Sequence, residues 1–131
     1  MVKTSRRAPI EDNTAVTLVT TAETVVLTLP AFSVDLPSRH VTLRALLVIT
    51  PGAATTALTF RFRQGSLTGA LIGSAIVDPV FGAVGVAETH AAELDLNPGE
   101  WAGQTVVVTV QQTAATGNGS VGHKVGEVQL A

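Results

Sequence analysis

Three histidines, at positions 40, 90 and 123, are the side chains best suited to proton transfer or metal binding in this 131-residue chain. No two of them fall at HxH or HxxxH spacing, so the histidines alone make no zinc-type ligand set. Glu88 and His90 stand at i and i+2, a spacing that puts both side chains on one face of a strand, and Glu93 and Asp95 do the same. Such a carboxylate–imidazole pair is either half of a divalent-ion site lacking its remaining ligands or a polar face at a surface or interface. The serines occupy no G-x-S-x-G elbow; Gly65-Ser66-Leu67-Thr68-Gly69 shares only its glycines with one and reads as a turn. Gly-containing segments are not followed by helical patterns, so neither a P-loop nor a dinucleotide fingerprint is present. There is no cysteine, which excludes thiolate chemistry and disulfides. With no tyrosine and one tryptophan, the chain has few platforms on which sugars or unpaired bases could stack. These features point away from an enzyme, and no metal or other cofactor is expected.

Recognition by charge is the remaining chemistry. Arg61 and Arg63 project from one face of a predicted strand, and Arg44 lies near them if its own strand pairs with theirs. They form either an ordinary solvent face or a contact for carboxylates on a neighbouring subunit, where the planar guanidinium fork outperforms lysine. Lys3, Arg6 and Arg7 lie in a polar, unpatterned segment, residues 1–14, that reads as a frayed terminus or as an arm ordered on a neighbour. Fully extended, that arm spans about 40 Å at ~3.3 Å per residue. Trp101 is a plug for the core or an interface, or an exposed anchor. The partner-binding candidates are therefore Lys3, Arg6, Arg7, Arg44, Arg61, Arg63 and Trp101.

The elements carrying these residues are strands. Alternation of period two marks Val16–Val19 and Val25–Leu29, which Pro30 stops. Residues 31–40 read as a connection. A long strand runs from Val41 to Thr50, with Val41, Leu43, Ala45, Leu47 and Ile49 on one face; Leu46 and Val48 on the other predict that its C-terminal half is buried on both sides. Leu58, Phe60 and Phe62 against Thr59, Arg61 and Arg63 give the clearest amphipathic strand. Strands follow at 70–77 and 87–96, with a bulged one over 80–86. The segment 105–111 continues into a hairpin tip over 113–120, where Asn118-Gly119 suits positive φ, and 121–130 closes the chain with bulges at Gly122 and Gly126. About eight strands without a helix predict an all-β antiparallel β-sandwich or jelly roll with an extended N-terminal arm. The domain covers residues 15–131.

Composition agrees. Val, Thr and Ala supply 55 of the 131 residues, and branching at Cβ suits Val and Thr to sheets. Charged residues make up 14%, with mean hydropathy +0.40, yet no run approaches a membrane span. So few charges leave either a neutral Thr/Ala/Gly surface or one covered by other subunits, since obligate interfaces are poor in Lys and Glu. A net charge of −2 predicts no general nucleic-acid affinity. The basic start is not followed by an apolar signal core, so no Sec export is expected.

The stretches VTLRALLVITPGAATTALTFRFRQGSLTGALIG and ELDLNPGEWAGQTVVVTVQQ resemble small bacteriophage virion structural proteins, Thr/Ala/Val-rich and free of cysteine. The resemblance covers roughly residues 14–131 and rests on alternating strands, the Gly-flanked turn and the VTVQQ strand. It implies a capsid decoration (cement) protein of the virion surface, made in the host cytoplasm. The implied partners are a major capsid protein and the chain itself, as a homotrimer on threefold or quasi-threefold positions. Neither specific nucleic acid nor membrane is implied, and no fixed motif transfers site residues. Two other readings are a receptor- or glycan-binding module, with a site near Trp101 or the 113–120 tip, and a small major-capsid jelly roll.

Overall fold

The computed structural model describes residues 6–29, 41–79, 83–96 and 105–130. Nine strands follow in chain order: β1 (Arg6–Asp12), β2 (Val16–Leu18), β3 (Thr24–Leu29), β4 (Val41–Thr50), β5 (Ala57–Gln64), β6 (Leu71–Asp78), β7 (Glu88–Leu96), β8 (Val106–Thr113) and β9 (Gly119–Leu130). No helix occurs among the described residues. One sheet has the order β1–β9–β4–β7, with β2 pairing β9 beside β1; the other has the order β3–β8–β5–β6. Every pairing is antiparallel. β1 and β2 run along the same edge of β9, opposite Lys124–Leu130 and Gly119–Val121 respectively, so together they act as one interrupted strand. The result is two sheets of four strand positions, the jelly-roll arrangement.

Alternation places the core between the sheets. Leu43, Ala45, Leu47 and Ile49 of β4 and Leu58, Phe60 and Phe62 of β5 have no exposed surface. Each large side chain buried this way contributes about 1.5–3 kcal/mol. β8 is covered more completely, with Val107 and Thr109 buried as well as Val106, Val108 and Val110, because it lies between β3 and β5. In β3 the register shifts between Val25 and Leu27, and the bulge lets neighbouring Val26 and Leu27 both turn inward.

Several expectations are corrected. Residues 6–12 of the supposed arm form β1 on the chain's own sheet; Pro9 is compatible with this edge position, where a missing donor is tolerated. Leu46 is 42% exposed, so the C-terminal half of β4 is not buried on both sides by the described residues. The segment 113–120 is no hairpin tip, because β8 and β9 belong to different sheets. Its left-handed residue is Ala114, at φ 61°, rather than Asn118 or Gly119. Residues 83–87 form a turn instead of a bulged strand, and 80–82 lie outside the described residues. The register of β9 breaks between Val121 and Lys124, consistent with a bulge at Gly122. Gly126 keeps register and serves close packing: a Cβ there would lie 2.5 Å from Leu29 Cδ2 and 2.6 Å from Leu27 Cδ2.

Candidate interaction surfaces

The outer face of the β3–β8–β5–β6 sheet carries Arg61 and Arg63, two apart on β5 and therefore on one side. Between them stands Glu23, just before β3. Arg63 Nε donates to Glu23 Oε2 at 2.6 Å and Arg63 Nη2 to Oε1 at 3.0 Å, a two-pronged pairing that fits the guanidinium fork. Thr109 Oγ1 donates to Oε2 at 2.6 Å. Arg61 Nη1 lies 3.5 Å from Glu23 Oε1 and donates to Gln111 Oε1 at 2.6 Å. Arg63 Nη1 reaches the Gly69 carbonyl at 3.2 Å. The Arg63 hydrogen bonds hold the Glu23 carboxyl below its ordinary range, against the opposing effect of burial, and the same bonds raise Arg63. The arginine pair is thus brought together as the alternation predicts, with its charge met by a carboxylate of the same chain.

Arg44 is elsewhere. β4 and β5 lie in different sheets, so the strand pairing that would have put Arg44 near Arg61 and Arg63 does not form. It donates through Nε to Glu93 Oε2 at 2.9 Å and through Nη1 to Glu127 Oε1 at 3.1 Å, linking β7, β4 and β9. Hydrogen bonding to Glu93 is the main cause that raises its pKa. Beside it, Thr42 Oγ1 donates to Asp95 Oδ1 at 2.8 Å. A cavity of about 220 Å³ on this face is lined by Arg44, Leu46, Val125, Gly126 and Glu127. Arg6 and Arg7 lie in β1 opposite Leu130 and Gln129. Lys3 and Trp101 lie outside the described residues.

His90 is buried, 3% exposed, where β6 and β7 approach from opposite sheets. Its Nδ1 lies 2.9 Å from Asp78 Oδ2 and its Nε2 3.7 Å from Glu88 Oε1. The Glu88–His90 pair predicted from spacing is therefore joined by a second carboxylate. The two carboxylates address opposite ring nitrogens, so they do not converge on one point, and no group of three metal-ligating side chains occurs among the described residues. Nε2 has no hydrogen-bond partner among the described residues. Lys124, fully buried, donates to the Thr14 carbonyl and lies 3.7 Å from Asp12 Oδ2. It ties the β1–β2 interruption to β9. Asp12 is lowered chiefly by the Thr14 backbone N–H at 2.8 Å.

A third region includes residues 113–120, which the sequence reading treats as a hairpin tip, but the residue that organises it is not among the candidates. The loops β2–β3, β4–β5 and β8–β9 meet around Gln112, 1% exposed. Its Oε1 accepts from Gly52 N at 2.7 Å and Thr55 Oγ1 at 3.3 Å. Its Nε2 donates to Thr20 O at 2.8 Å and Gly117 O at 3.4 Å. Thr20 N donates to Asn118 Oδ1 at 3.2 Å and Thr116 N to Ala53 O at 2.9 Å. Gly85 N reaches Pro51 O at 2.8 Å, bringing in the β6–β7 loop. Gly52 is required by this closeness, because a Cβ there would overlap the Gly117 carbonyl. One buried amide thus fixes three loops; a lone Gln beside Gln111 gives no sign of this in the sequence.

No protein-family model and no curated protein matches the sequence. The fold does match solved structures. The VP2 subviral particle of infectious bursal disease virus aligns with a TM-score of 0.63 and 10% identity, over 96% of this chain and 36% of that one. The structure of the Gx strain of that virus gives 0.65 and 8% identity, over 98% and 32%. T=1 particles derived from the virus give 0.64 and 10%, over 96% and 35%. The chain spans about a third of the length of these proteins, and what it shares with them is an all-β fold of two antiparallel sheets that resembles a viral capsid β-sandwich.

Proposed function

We propose that the chain is a non-enzymatic virion structural protein of the capsid decoration, or cement, type. In this reading it binds an assembled shell at junctions between capsomers, on the virion surface, as a homotrimer. The observation that carries the proposal is the fold, a jelly roll similar to VP2 of a virus particle. The chain's chemistry supports it. Both charged sheet faces close on themselves through Glu23 and through Glu93 and Glu127. A protein that binds only the assembled state stabilises it by mass action, and apolar surface exposed on one copy can be buried when three meet around an axis.

Light scattering coupled to size-exclusion chromatography tests the assembly state. The expected result is a particle of about 40 kDa, three copies of the 13.4 kDa chain. A monomer across the accessible concentration range would overturn the trimer. Co-sedimentation with shells, compared with and without residues 1–5, tests capsomer binding: loss of binding on truncation is expected if that segment contributes to the contact.

A further inference from the structure

The two described sheets end in four margins: β1 continued by β2, β7, β3 and β6. A margin offers a row of backbone N–H and C=O groups to a further strand, and proteins ordinarily blunt it. β1 holds Pro9 and breaks off before β2 resumes the edge. β3 is six residues long and is bulged between Val25 and Leu27. β6 sets three residues, Gly73 to Ala75, against the single Arg61, with Gly73 at φ 66°. β7 has none of these devices. Its nine residues, Glu88 to Leu96, contain neither glycine nor proline and stay in unbroken register with β4. No described strand lies beyond them. The β6–β7 turn ties the start of β7 to the loop end gathered around Gln112, through Gly85 N and Pro51 O at 2.8 Å, so the edge is presented on a fixed support.

We infer that the outer edge of β7 takes up an extended segment of another protein as an added strand, with Lys or Arg on the segment's outward side and apolar residues on its inward side. This binding mode holds whether or not the chain decorates a shell. An unbroken edge recognises extended backbone, because alternate residues turn N–H and C=O away from β4. Side chains then choose the occupant. Thr89, Ala91, Glu93 and Asp95 form the exposed outward row, so the one safeguard on this edge is carboxylate charge. Arg44 closes on Glu93 and Glu127, whereas Asp95 accepts only the Thr42 hydroxyl among the described residues. Such charge is selective: it repels an acidic strand and favours a basic one. It also disfavours a second copy. Two β7 strands paired antiparallel in one sheet would gather Glu93 and Asp95 of both copies on a single face, and the copy's other margins are the blunted ones. On the inward side Leu94 is partly buried against the core, so an apolar residue beside it would extend that core.

Amide exchange of the full chain tests the edge first. In the free chain alternate β7 amides, those turned away from β4, should exchange freely while their neighbours stay protected. Protection along all of β7 would overturn the inference, since this chain or a second copy would already cover the edge. The probe is an acetylated peptide alternating Lys and Val, matched to β7 at nine residues, with a Glu/Val peptide as control. Titration followed by NMR should shift β7 resonances with the Lys/Val peptide and slow the outward amides by roughly tenfold or more. The Glu/Val peptide should bind about tenfold more weakly. Asp95→Lys should reverse that preference, weakening the Lys/Val peptide and strengthening the Glu/Val peptide, a gain that a misfolded variant would not show. Shifts without slowed exchange would mean charge contact without strand pairing, and would sink the proposal. So would equal affinity for both peptides, no binding of either, or a folded Asp95→Lys chain that keeps the parent's preference. Should that variant fail to fold, the parent's exchange pattern and peptide preference decide.

Discussion

The outer face of the β3–β8–β5–β6 sheet and the loop end each gather segments distant in sequence around one residue. On the sheet face that residue is Glu23, which accepts from Arg63, Arg61 and Thr109. At the loop end it is Gln112, which both donates and accepts. The carboxylate can only accept, so it needs cations around it and leaves the face charged and responsive to pH. The amide satisfies carbonyls and N–H groups together and leaves no charge behind. The comparison teaches why the few charges of this chain are grouped as they are: they stabilise faces by meeting one another, while the end that stays neutral is held by an equally neutral residue.

The strongest way to break the loop end is Gln112→Leu. The side chain is buried, and its loss strands the Gly52 N–H and Thr20 carbonyl without their partner. The expected destabilisation is about 3 kcal/mol, read by urea unfolding, and it should be nearly the same at pH 4 and pH 7. Glu23→Gln comes next, at about 1–2 kcal/mol at neutral pH, because two partly buried guanidinium groups lose their carboxylate. Here pH sharpens the contrast. Since folding lowers the Glu23 pKa from its ordinary 4.5, its contribution is fully present above that value and disappears as pH falls through the lower folded one. Unfolding curves of the parent should therefore lose stability in that acid window, and those of Glu23→Gln should lose less. Arg44→Ala has the smallest effect, since its partner Glu93 is half-exposed and exposed pairs contribute little. Added salt should shrink the Arg44 effect further while leaving that of Gln112 unchanged.

The strands were legible because burial follows a period of two. The alternation through Leu58, Phe60 and Phe62 against Arg61 and Arg63 is what the structure shows, and it placed the arginine pair on one face. The partner was not legible, because Glu23 lies 40 residues from Arg63 and only strand order brings it there. The same gap misassigned Arg44: periodicity reports a strand's faces but not the sheet to which it belongs. Gln112 was invisible for a related reason. It and Gln111 are chemically identical neighbours whose fates differ only because adjacent strand residues point to opposite sides.

The order of strands in space also dictates an order in time. Of the strand pairings among the described residues, only β5 with β6 joins neighbours in the sequence; the others bridge long intervals, up to Arg6 opposite Leu130. Each distant pairing must close a loop before its contacts give anything back, so folding should be slow, on the order of milliseconds to seconds. The β5–β6 hairpin is the natural first structure. The β1–β9–β4–β7 sheet has to wait for the other extreme: until β9 has left the ribosome, β4 lacks its central neighbour and β1 has no partner. The loops gathered around Gln112, which depend on β8 and β9, are therefore completed late.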